Sequence, residues 1–255
     1  GGKNPSGPVG KGGAPSSSGT SSGGKVPIGG INAPCVPGEC ESDPKAVAVI
    51  EECGSLLLQD LPDTLYALSG SLGKLYAIAK SGGPPQMVTL GLGGATAFAL
   101  DKTNAYVVVG VSVIQVNLTN GTKTALVTET GAVTDVAVDR GKIYYATGAY
   151  IKQADATTPG VGTAVAQSAD EGEAYGVAVS GNYVLYASNL SFNVETDEIF
   201  GERHLKLAAS QGSLVLGHRS VQADGTHVYW ANGSLLSRAF TDVNALGSSV
   251  GLPSN

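Results

Sequence analysis

Two short stretches of the chain read alike: residues 135–146 are DVAVDRGKIYYA, and residues 220–231 are SVQADGTHVYWA. In each of them, alternating apolar residues lead into a polar turn, and a run with aromatic residues follows. Alternation with a period of two residues, broken by Gly, Asn or Asp, is typical of β-strands joined by tight turns. The two stretches therefore predict the same strand–turn–strand unit in two places.

The unit occurs five times when the chain is aligned on the second aspartate of the first stretch. That position is held, at intervals of 41, 38, 41 and 44 residues, by Asp60, Asp101, Asp139, Ser180 and Asp224. The sixth residue after it is Tyr66, Val107, Tyr145, Tyr186 and Trp230. Further runs such as SVIQVN and TALVT bring each unit to four strands. Because four strands in about 40 residues is the period of a propeller blade, the sequence predicts an all-β fold, a β-propeller of about five four-stranded blades.

The chain divides by composition into a leader, a transition and a repeat region, which are residues 1–34, 35–56 and 57–255. The leader is so rich in Gly, Ser and Pro that it cannot bury enough apolar surface to fold alone, so we expect an extended linker. The last repeat ends in a weak fourth strand. We therefore expect residues 46–51, in the transition, to supply the outer strand that closes the propeller.

The transition holds the three cysteines of the chain, Cys35, Cys40 and Cys53. In the stretch CVPGEC, Pro-Gly is typical of a type II turn, which would place Cys35 opposite Cys40 within reach of a disulfide. This pair is favoured over Cys40 with Cys53, and it leaves Cys53 either free or paired between molecules. Closely spaced cysteines and a first residue other than Met favour a secreted or cell-surface protein.

Charge is distributed unevenly between leader and body. Residues 1–38 contain three Lys and no acid, so they carry +3 of the net −6 and leave −9 to the remainder. The acidic body argues against nucleic acid as a partner, and no apolar run is long enough for a transmembrane segment. Opposite charges favour contact between copies of the chain, as a homo-oligomer or polymer joined through the leader. The alternative is that the Lys residues only keep a linker solvated.

Two sets of repeated residues are candidates for function. The first set is Asp60, Asp101, Asp139 and Asp224, and the second is Tyr66, Tyr145, Tyr186 and Trp230. The carboxylates could ring a central channel and bind a cation, but capping of hairpin turns is favoured. The aromatic rings could stack on a sugar or peptide, but packing between blades is favoured.

No motif in the chain predicts catalysis. The three His residues lack metal spacing, and neither a phosphate-binding loop nor a nucleophile elbow is present. We therefore expect a protein that is not an enzyme and needs neither cofactor nor metal. A hydrolase or lyase acting on polysaccharide would require carboxylates that converge on the channel, and it is the third alternative.

The fourth unit departs from the others, because the long stretch SNLSFNVETDEIFGERH at residues 188–204 separates its second and third strands. We interpret the stretch as a loop. Its acidic and aromatic residues are Phe192, Glu195, Asp197, Glu198, Phe200 and Glu202. Insertions on repeat scaffolds often carry binding sites, so a calcium or partner contact is one interpretation and a solvated loop is the favoured one.

The units TDVAVDRGKIYYA and GTHVYWANGSLLSRA resemble the repeats of secreted or lipid-anchored bacterial β-propeller proteins, in which VYW follows a short IAVD strand. The resemblance covers about residues 57–240, and Val107 replaces the second aromatic residue in one copy. The Gly/Ser/Pro leader resembles the tether that follows a lipidated Cys in bacterial lipoproteins, although that Cys is absent here. The resemblance implies a fold and a location, and no particular activity.

These observations favour a non-catalytic extracellular structural protein, the subunit of a surface fibre. The leader of one copy would add to the propeller of the next as an extended strand, with Val26, Ile28 and Ile31 as apolar anchors. Such head-to-tail contacts generate open filaments when they do not close on themselves. The alternative is a tethered cell-surface module that binds a ligand or carbohydrate.

Overall fold

The described part of the chain is built from β-strands and the turns that join them. The computed structural model describes residues 56–168, 172–188, 193–199, 204–209, 221–223, 227–232, 235–240 and 250–251. Twenty strands lie within these ranges, and they form five four-stranded sheets. Among the same residues there is no helix of the length and apolarity needed to cross a membrane.

The four strands of each sheet are consecutive in the chain. Sheet 1 contains β1 (Leu56–Leu61), β2 (Thr64–Ser69), β3 (Lys74–Ala79) and β4 (Gln86–Thr89). Sheet 2 contains β5 (Ala95–Leu100), β6 (Asn104–Val109), β7 (Ser112–Asn117) and β8 (Lys123–Thr128). Sheet 3 contains β9 (Val133–Asp139), β10 (Lys142–Thr147), β11 (Tyr150–Asp155) and β12 (Thr163–Gln167). Sheet 4 contains β13 (Ala174–Ser180), β14 (Tyr183–Ser188), β15 (Asn193–Glu198) and β16 (His204–Ala209). Sheet 5 contains β17 (Val221–Ala223), β18 (His227–Asn232), β19 (Leu235–Phe240) and β20 (Val250–Gly251).

Every sheet is an antiparallel meander in which each strand pairs with its neighbours in the chain. The first strands of successive sheets lie side by side: β1 next to β5, β5 next to β9, β9 next to β13, and β13 next to β17. Four-stranded meanders that meet along their first strands are the blades of a β-propeller. The structure therefore confirms the predicted all-β propeller of about five blades, with five sheets among the described residues.

The turn in DVAVDRGKIYYA shows why the repeated phrase folds as a hairpin. Arg140 and Gly141 both have positive φ, 47° and 75°. Two central residues with positive φ define the type I′ turn, whose twist matches that of the flanking strands. The pairing of Asp139 with Lys142 on either side of the turn then sets the register of β9 against β10.

The apolar residues pack between neighbouring sheets. One buried cluster joins sheets 1 and 2, a second joins sheets 2 and 3, and a third joins sheets 3 and 4. Tyr145 and Tyr186 each pack against the preceding sheet, as Val107 does in sheet 2, whereas Tyr66 packs against the following sheet, as Tyr106 and Tyr144 do. The side chain of Trp230 lies outside the described residues. Because such large side chains remove much apolar area from water, their burial is a major source of cohesion between sheets.

Two boundaries differ from the sequence-based expectation. Residues 193–198 were expected to lie in a loop, but they form β15, which pairs with β14 on one side and β16 on the other. A polar strand such as β15 has no apolar alternation by which the sequence could reveal it, because backbone hydrogen bonds pair it with its neighbours. The outer strand of sheet 5 is β20, from the C-terminal tail, and it pairs with β19 at Ser237 and Arg238. Residues 46–51, which we expected in that position, lie outside the described residues.

Each sheet has two ends, which we name by their turns. The turns between first and second strands, and the connections between third and fourth strands, lie at the capped end. In four sheets the residue after the third strand donates its backbone N–H to a carbonyl in the first turn of that sheet. The pairs are Lys80 to Asp63, Leu118 to Thr103, Ala156 to Gly141 and Ile199 to Asn182, at 2.8–3.0 Å. In these four sheets, a carbonyl of the capped end is thus hydrogen-bonded within its own sheet.

Candidate functional site

The three repeated aspartates that the structure describes lie at the capped ends of separate sheets, where each makes contacts within its own sheet. Asp60 forms an exposed ion pair with Lys80 at 2.7 Å, and Asp139 lies 3.6 Å from Arg140. Asp101 caps the turn that follows it, while Asp224 lies outside the described residues. Within the described part of the chain, no three His, Cys, Asp or Glu side chains are close enough to hold a metal ion.

Asp101 shows how the capping works. Its Oδ1 accepts the backbone N–H groups of Thr103 and Asn104, both at 2.7 Å, and its Oδ2 accepts the hydroxyl of Tyr106 at 2.6 Å. Burial alone would raise the pKa of Asp101, but these bonds to the charged form outweigh it and hold the pKa below its ordinary value. Burial, together with the carboxylate, raises the pKa of Tyr106 to about 12.

The remaining predicted site residues divide into two groups. The backbone of Glu195, Asp197 and Glu198 belongs to β15, so these residues are part of a paired strand and do not form the predicted binding loop. The predicted residues that lie outside the described part of the chain are Val26, Ile28, Ile31, Cys35, Cys40, Cys53, Phe192, Phe200 and Glu202.

Opposite the capped end lies a second end, which we call the turn face. It carries the turns between second and third strands and the connections that lead from one sheet to the next. In sheets 1, 2 and 3, each of these turns accepts two backbone hydrogen bonds from the connection that follows the sheet. The donor–acceptor pairs, at 2.8–3.0 Å, are Leu92 to Gly73, Gly94 to Gly70, Glu129 to Val111, Val133 to Gly110, Ser168 to Ala149 and Ala174 to Gly148. The turn face is therefore braced in the same way three times.

The closest approach in this bracing occurs in sheet 1. Gly73 has φ +64°, and a Cβ atom at this position would collide with the backbone of Leu92 and Gly93. Gly110 has the same left-handed conformation in sheet 2, with φ +60°, but open space where its Cβ would be. Of the three turns, that of sheet 1 alone thus combines a left-handed glycine with direct backbone contact.

Three exposed apolar side chains lie in or directly beside these braced turns. Leu72 is 49% exposed, Val111 is 39% exposed and Tyr150 is 42% exposed. Leu72 and Val111 lie within their turns, Tyr150 is the first residue of β11 directly after its turn, and Leu90, 58% exposed, lies on the connection after sheet 1. A single exposed apolar residue is ordinary, but several on one face make the turn face a candidate interaction surface.

A buried carboxylate, which we did not single out from the sequence, supports the turn face from below. Glu129 follows β8, and its side chain is 6% exposed. It accepts the hydroxyl of Tyr145 at 2.5 Å and the ammonium group of Lys152 at 2.9 Å. Burial raises its pKa, but these two partners outweigh burial and keep the pKa of Glu129 below its ordinary value. The group ties sheet 2 to sheet 3.

A second buried acid joins sheets 3 and 4. Asp135 on β9 is fully buried and accepts the backbone N–H of Val177 on β13 at 2.9 Å. Gln59 does the corresponding work between sheets 1 and 2, where its amide donates to the carbonyl of Phe98. For Asp135, the only signal in the sequence is a single Asp within the apolar run VTDVAV. The carboxylates of Glu129 and Asp135 are each bonded to a neighbouring sheet, and this arrangement suits cohesion between sheets rather than proton transfer.

Comparison with known proteins supports this architecture at the level of fold. No protein-family model matches the chain, and no curated protein matches it. Among solved structures, a chain described as "Crystal structure of Nidogen/Laminin Complex" is similar with a TM-score of 0.62 and 14% identity, over 76% of each chain. A chain described as "Crystal structure of WD40 beta propeller domain of Doa1" is similar with a TM-score of 0.52 and 15% identity, over 74% of this chain and 64% of that one.

At sequence identities of 14% and 15%, the similarity to these two structures supports the fold only. The meander order of the strands, the contacts between first strands and the likeness to a named β-propeller agree with one another. The chain is a β-propeller whose described residues form five four-stranded blades, with exposed apolar side chains on the turn face.

Proposed function

We propose that this chain is a non-catalytic extracellular structural protein whose turn face binds the leader, residues 1–34, of a second copy. The observation that carries the proposal is that three exposed apolar side chains, Leu72, Val111 and Tyr150, lie in or directly beside turns braced in the same way in three successive sheets. A rigid surface with several exposed apolar side chains suits an extended segment that places its own apolar residues at intervals.

The leader has the properties that such an occupant needs. It is long, low in sequence complexity and positively charged, whereas the remainder of the chain carries −9. Val26, Ile28 and Ile31 are its closely spaced apolar residues. An extended chain advances about 3.3 Å per residue, so these anchors would spread over about 16 Å. Charge would bring leader and body together, and the apolar contacts would fix the position.

Addition of the leader to a sheet edge is less well supported than docking on the turn face. The outer strand β4 has only four residues and follows Pro84 and Pro85, which is typical of protected edges. The outer strand β8 is partly covered, because Gly160 of the next sheet donates its N–H to the carbonyl of Leu126 at 2.8 Å. The turn face is thus the better-supported contact surface.

A non-catalytic role is supported by the contacts of the buried carboxylates. Glu129 is engaged by Tyr145 and Lys152, and Asp135 by the backbone of the next sheet. Neither group is arranged as a general acid or base toward an open channel. An extracellular location is supported by the clustered cysteines and by the likeness of the repeats to those of secreted bacterial propellers.

The test is electron microscopy and sedimentation velocity on matched proteins. The full chain should form filaments or oligomers, and a protein lacking residues 1–34 should give single particles. The full chain with Leu72→Asp, Val111→Asp and Tyr150→Asp should also give single particles. A full chain with Met87→Asp and Val161→Asp, two exposed apolar residues away from the turn face, should assemble as the parent does.

Three outcomes would count against the proposal in different ways. Assembly without residues 1–34 would remove the leader from the contact. Assembly of the triple variant would remove the turn face. Single particles from the unmodified chain would favour the alternative, a tethered surface module that binds a ligand of another kind. Circular dichroism of each variant checks that the sheets are retained.

A further inference from the structure

A cavity of about 330 Å³ opens beside sheet 3, at some distance in the fold from the turn face. Its walls come from strands β10, β11 and β12 and from residues 156–162, which join β11 to β12 at the capped end. The residues that give it its chemistry are Lys142, Gln153, Asp155, Thr158, Val161 and Thr163. The volume lies at the lower end of the range of about 300–1,000 Å³ for small-molecule sites, so it suits a ligand about the size of one sugar ring.

The polar residues of the cavity project from one side of the sheet. Gln153 on β11 lies directly opposite Tyr144 on β10 and Thr163 on β12. Residues directly opposite each other on paired strands point to the same side. Tyr144 packs in the apolar cluster shared by sheets 3 and 4, so this is the side of sheet 3 that faces sheet 4.

The amide of Gln153 carries the strongest indication of a ligand. Its Oε1 atom is buried, and it has no hydrogen-bond partner within the described part of the chain. Buried polar atoms in native proteins are nearly always paired, so an unpaired acceptor beside a cavity indicates that a donor is supplied from outside.

The neighbouring sheet provides a direct comparison. Gln115 lies opposite Tyr106 in sheet 2 just as Gln153 lies opposite Tyr144 in sheet 3. The amide nitrogen of Gln115 donates to the carbonyl of Ala156 in the next sheet, at 2.9 Å. The same repeat position is therefore joined to the following sheet in one case and left with an open acceptor in the other.

The charge of the cavity selects a neutral ligand. Lys142 and Asp155 form an ion pair at 3.0 Å, and Asp155 also accepts the backbone N–H and the hydroxyl of Thr157. The pair contributes no net charge, and the carboxylate is already engaged. The ammonium group retains further donors, Thr158 and Thr163 add hydroxyl groups, and Val161 adds an apolar wall.

We propose that this cavity binds a neutral polyhydroxylated ligand the size of a monosaccharide, with a ligand hydroxyl donating to Gln153 Oε1. Hydroxyl groups can both donate to the amide oxygen and accept from Lys142. The C–H face of a sugar ring would pack against Val161. The site shares no residue with the turn face, so it does not depend on the proposed assembly.

The test is saturation-transfer NMR on the full chain with glucose, galactose, mannose and N-acetylglucosamine as probes and glucuronate as the charged comparator. At least one neutral sugar should receive saturation, with a weaker signal for glucuronate. Gln153→Leu should weaken binding of that sugar at least tenfold. Gln86→Leu, at an exposed glutamine of sheet 1, should leave binding unchanged.

A second variant keeps the test decisive if Gln153→Leu does not fold. Val161 is 68% exposed, so Val161→Arg should fold normally while the long side chain fills the cavity mouth. It should abolish binding, whereas Val111→Arg on the turn face should not. Saturation of none of the sugars by the parent chain would overturn the proposal, and so would binding that survives both cavity variants.

Discussion

The two ends of the sheets are built on the same backbone plan but present different side chains. At the capped end, turns accept N–H groups from their own sheet, and acids such as Asp101 complete the caps. At the turn face, turns accept N–H groups from the connection to the next sheet, and Leu72, Val111 and Tyr150 are exposed in or beside these turns. At the capped end, the hydrogen-bonding groups of the turns are thus satisfied within each sheet, whereas the turn face exposes apolar area that a partner would cover.

The largest effect that would break this comparison is expected at the tightest turn of the turn face. In Gly73→Ala, the left-handed conformation of the alanine costs about 1–2 kcal/mol. Overpacking of its Cβ against Leu92 and Gly93 costs about 1–3 kcal/mol more. We therefore expect the free energy of unfolding to fall by about 4 kcal/mol. Gly110→Ala is the matched control, because it has the same conformation with open space, and we expect only about 1–2 kcal/mol. Denaturant unfolding measures both, and equal losses would mean that the bracing contact is not tight.

The next effect tests the ion pair beneath the turn face. Glu129→Ala leaves the hydroxyl of Tyr145 and the ammonium group of Lys152 without their shared acceptor. Loss of one partner from a buried pair costs about 3–5 kcal/mol, and we expect the lower value, about 3 kcal/mol, because Lys152 keeps some access to water. Thr130→Ala, an exposed neighbour, should be nearly neutral. A loss below about 1 kcal/mol for Glu129→Ala would show that the pair contributes no more than a surface ion pair.

A third substitution compares the buried acid of β9 with an exposed acid of the capped end. Asp135→Ala removes the acceptor of the Val177 N–H and leaves that donor buried between sheets 3 and 4. An unsatisfied buried donor costs about 1–3 kcal/mol, so we expect a loss of about 2 kcal/mol in denaturant unfolding. Asp63→Ala keeps the backbone carbonyl that braces its turn and should change stability by less than about 0.5 kcal/mol. Equal losses would remove the distinction between the two acids.

The repeat could be predicted from the sequence because its signal is redundant. Five copies combine period-2 alternation with a polar turn, and Arg140 with Gly141 supplies the hairpin geometry. Strand β15 escaped prediction because three of its six residues are acidic, and its place comes from backbone pairing with β14 and β16. Strand β20 has only two residues, too few for any alternation to show.

The candidate site was harder to predict than the fold. Leu72 and Val111 are single apolar residues beside glycines, and the sequence does not show that they share an exposed face with Tyr150. Glu129 and Asp135 stand alone among neutral residues, and sequence does not show which strands of other sheets they meet. Gln153 and Gln115 occupy equivalent positions in sheets 3 and 2, and only their atomic contacts show that Gln115 is hydrogen-bonded whereas Gln153 Oε1 is not.

The smallest effect concerns acid, and it compares one carboxylate from each end. The pKa values of Glu129 and Asp101 are both lowered in the folded chain, so each carboxylate favours folding when it is charged. That contribution is present above the ordinary pKa values, near pH 4, and is lost as pH falls through the lower folded values. The free energy of unfolding should therefore decline between about pH 5 and pH 2.

Substitution separates the two ends in this pH dependence. Glu129→Gln and Asp101→Asn should each lower stability at pH 7 and flatten the decline in acid, by about 1 kcal/mol over that range. Asp101 caps a turn within its own sheet, whereas Glu129 bridges two sheets, so only Glu129→Gln should also loosen the contact between sheets 2 and 3. Hydrogen exchange at Val133, whose N–H bonds to Gly110 across that junction, is the readout. Faster exchange in both variants would show that the capped end and the turn face are coupled, and then the two ends could not be treated as independent.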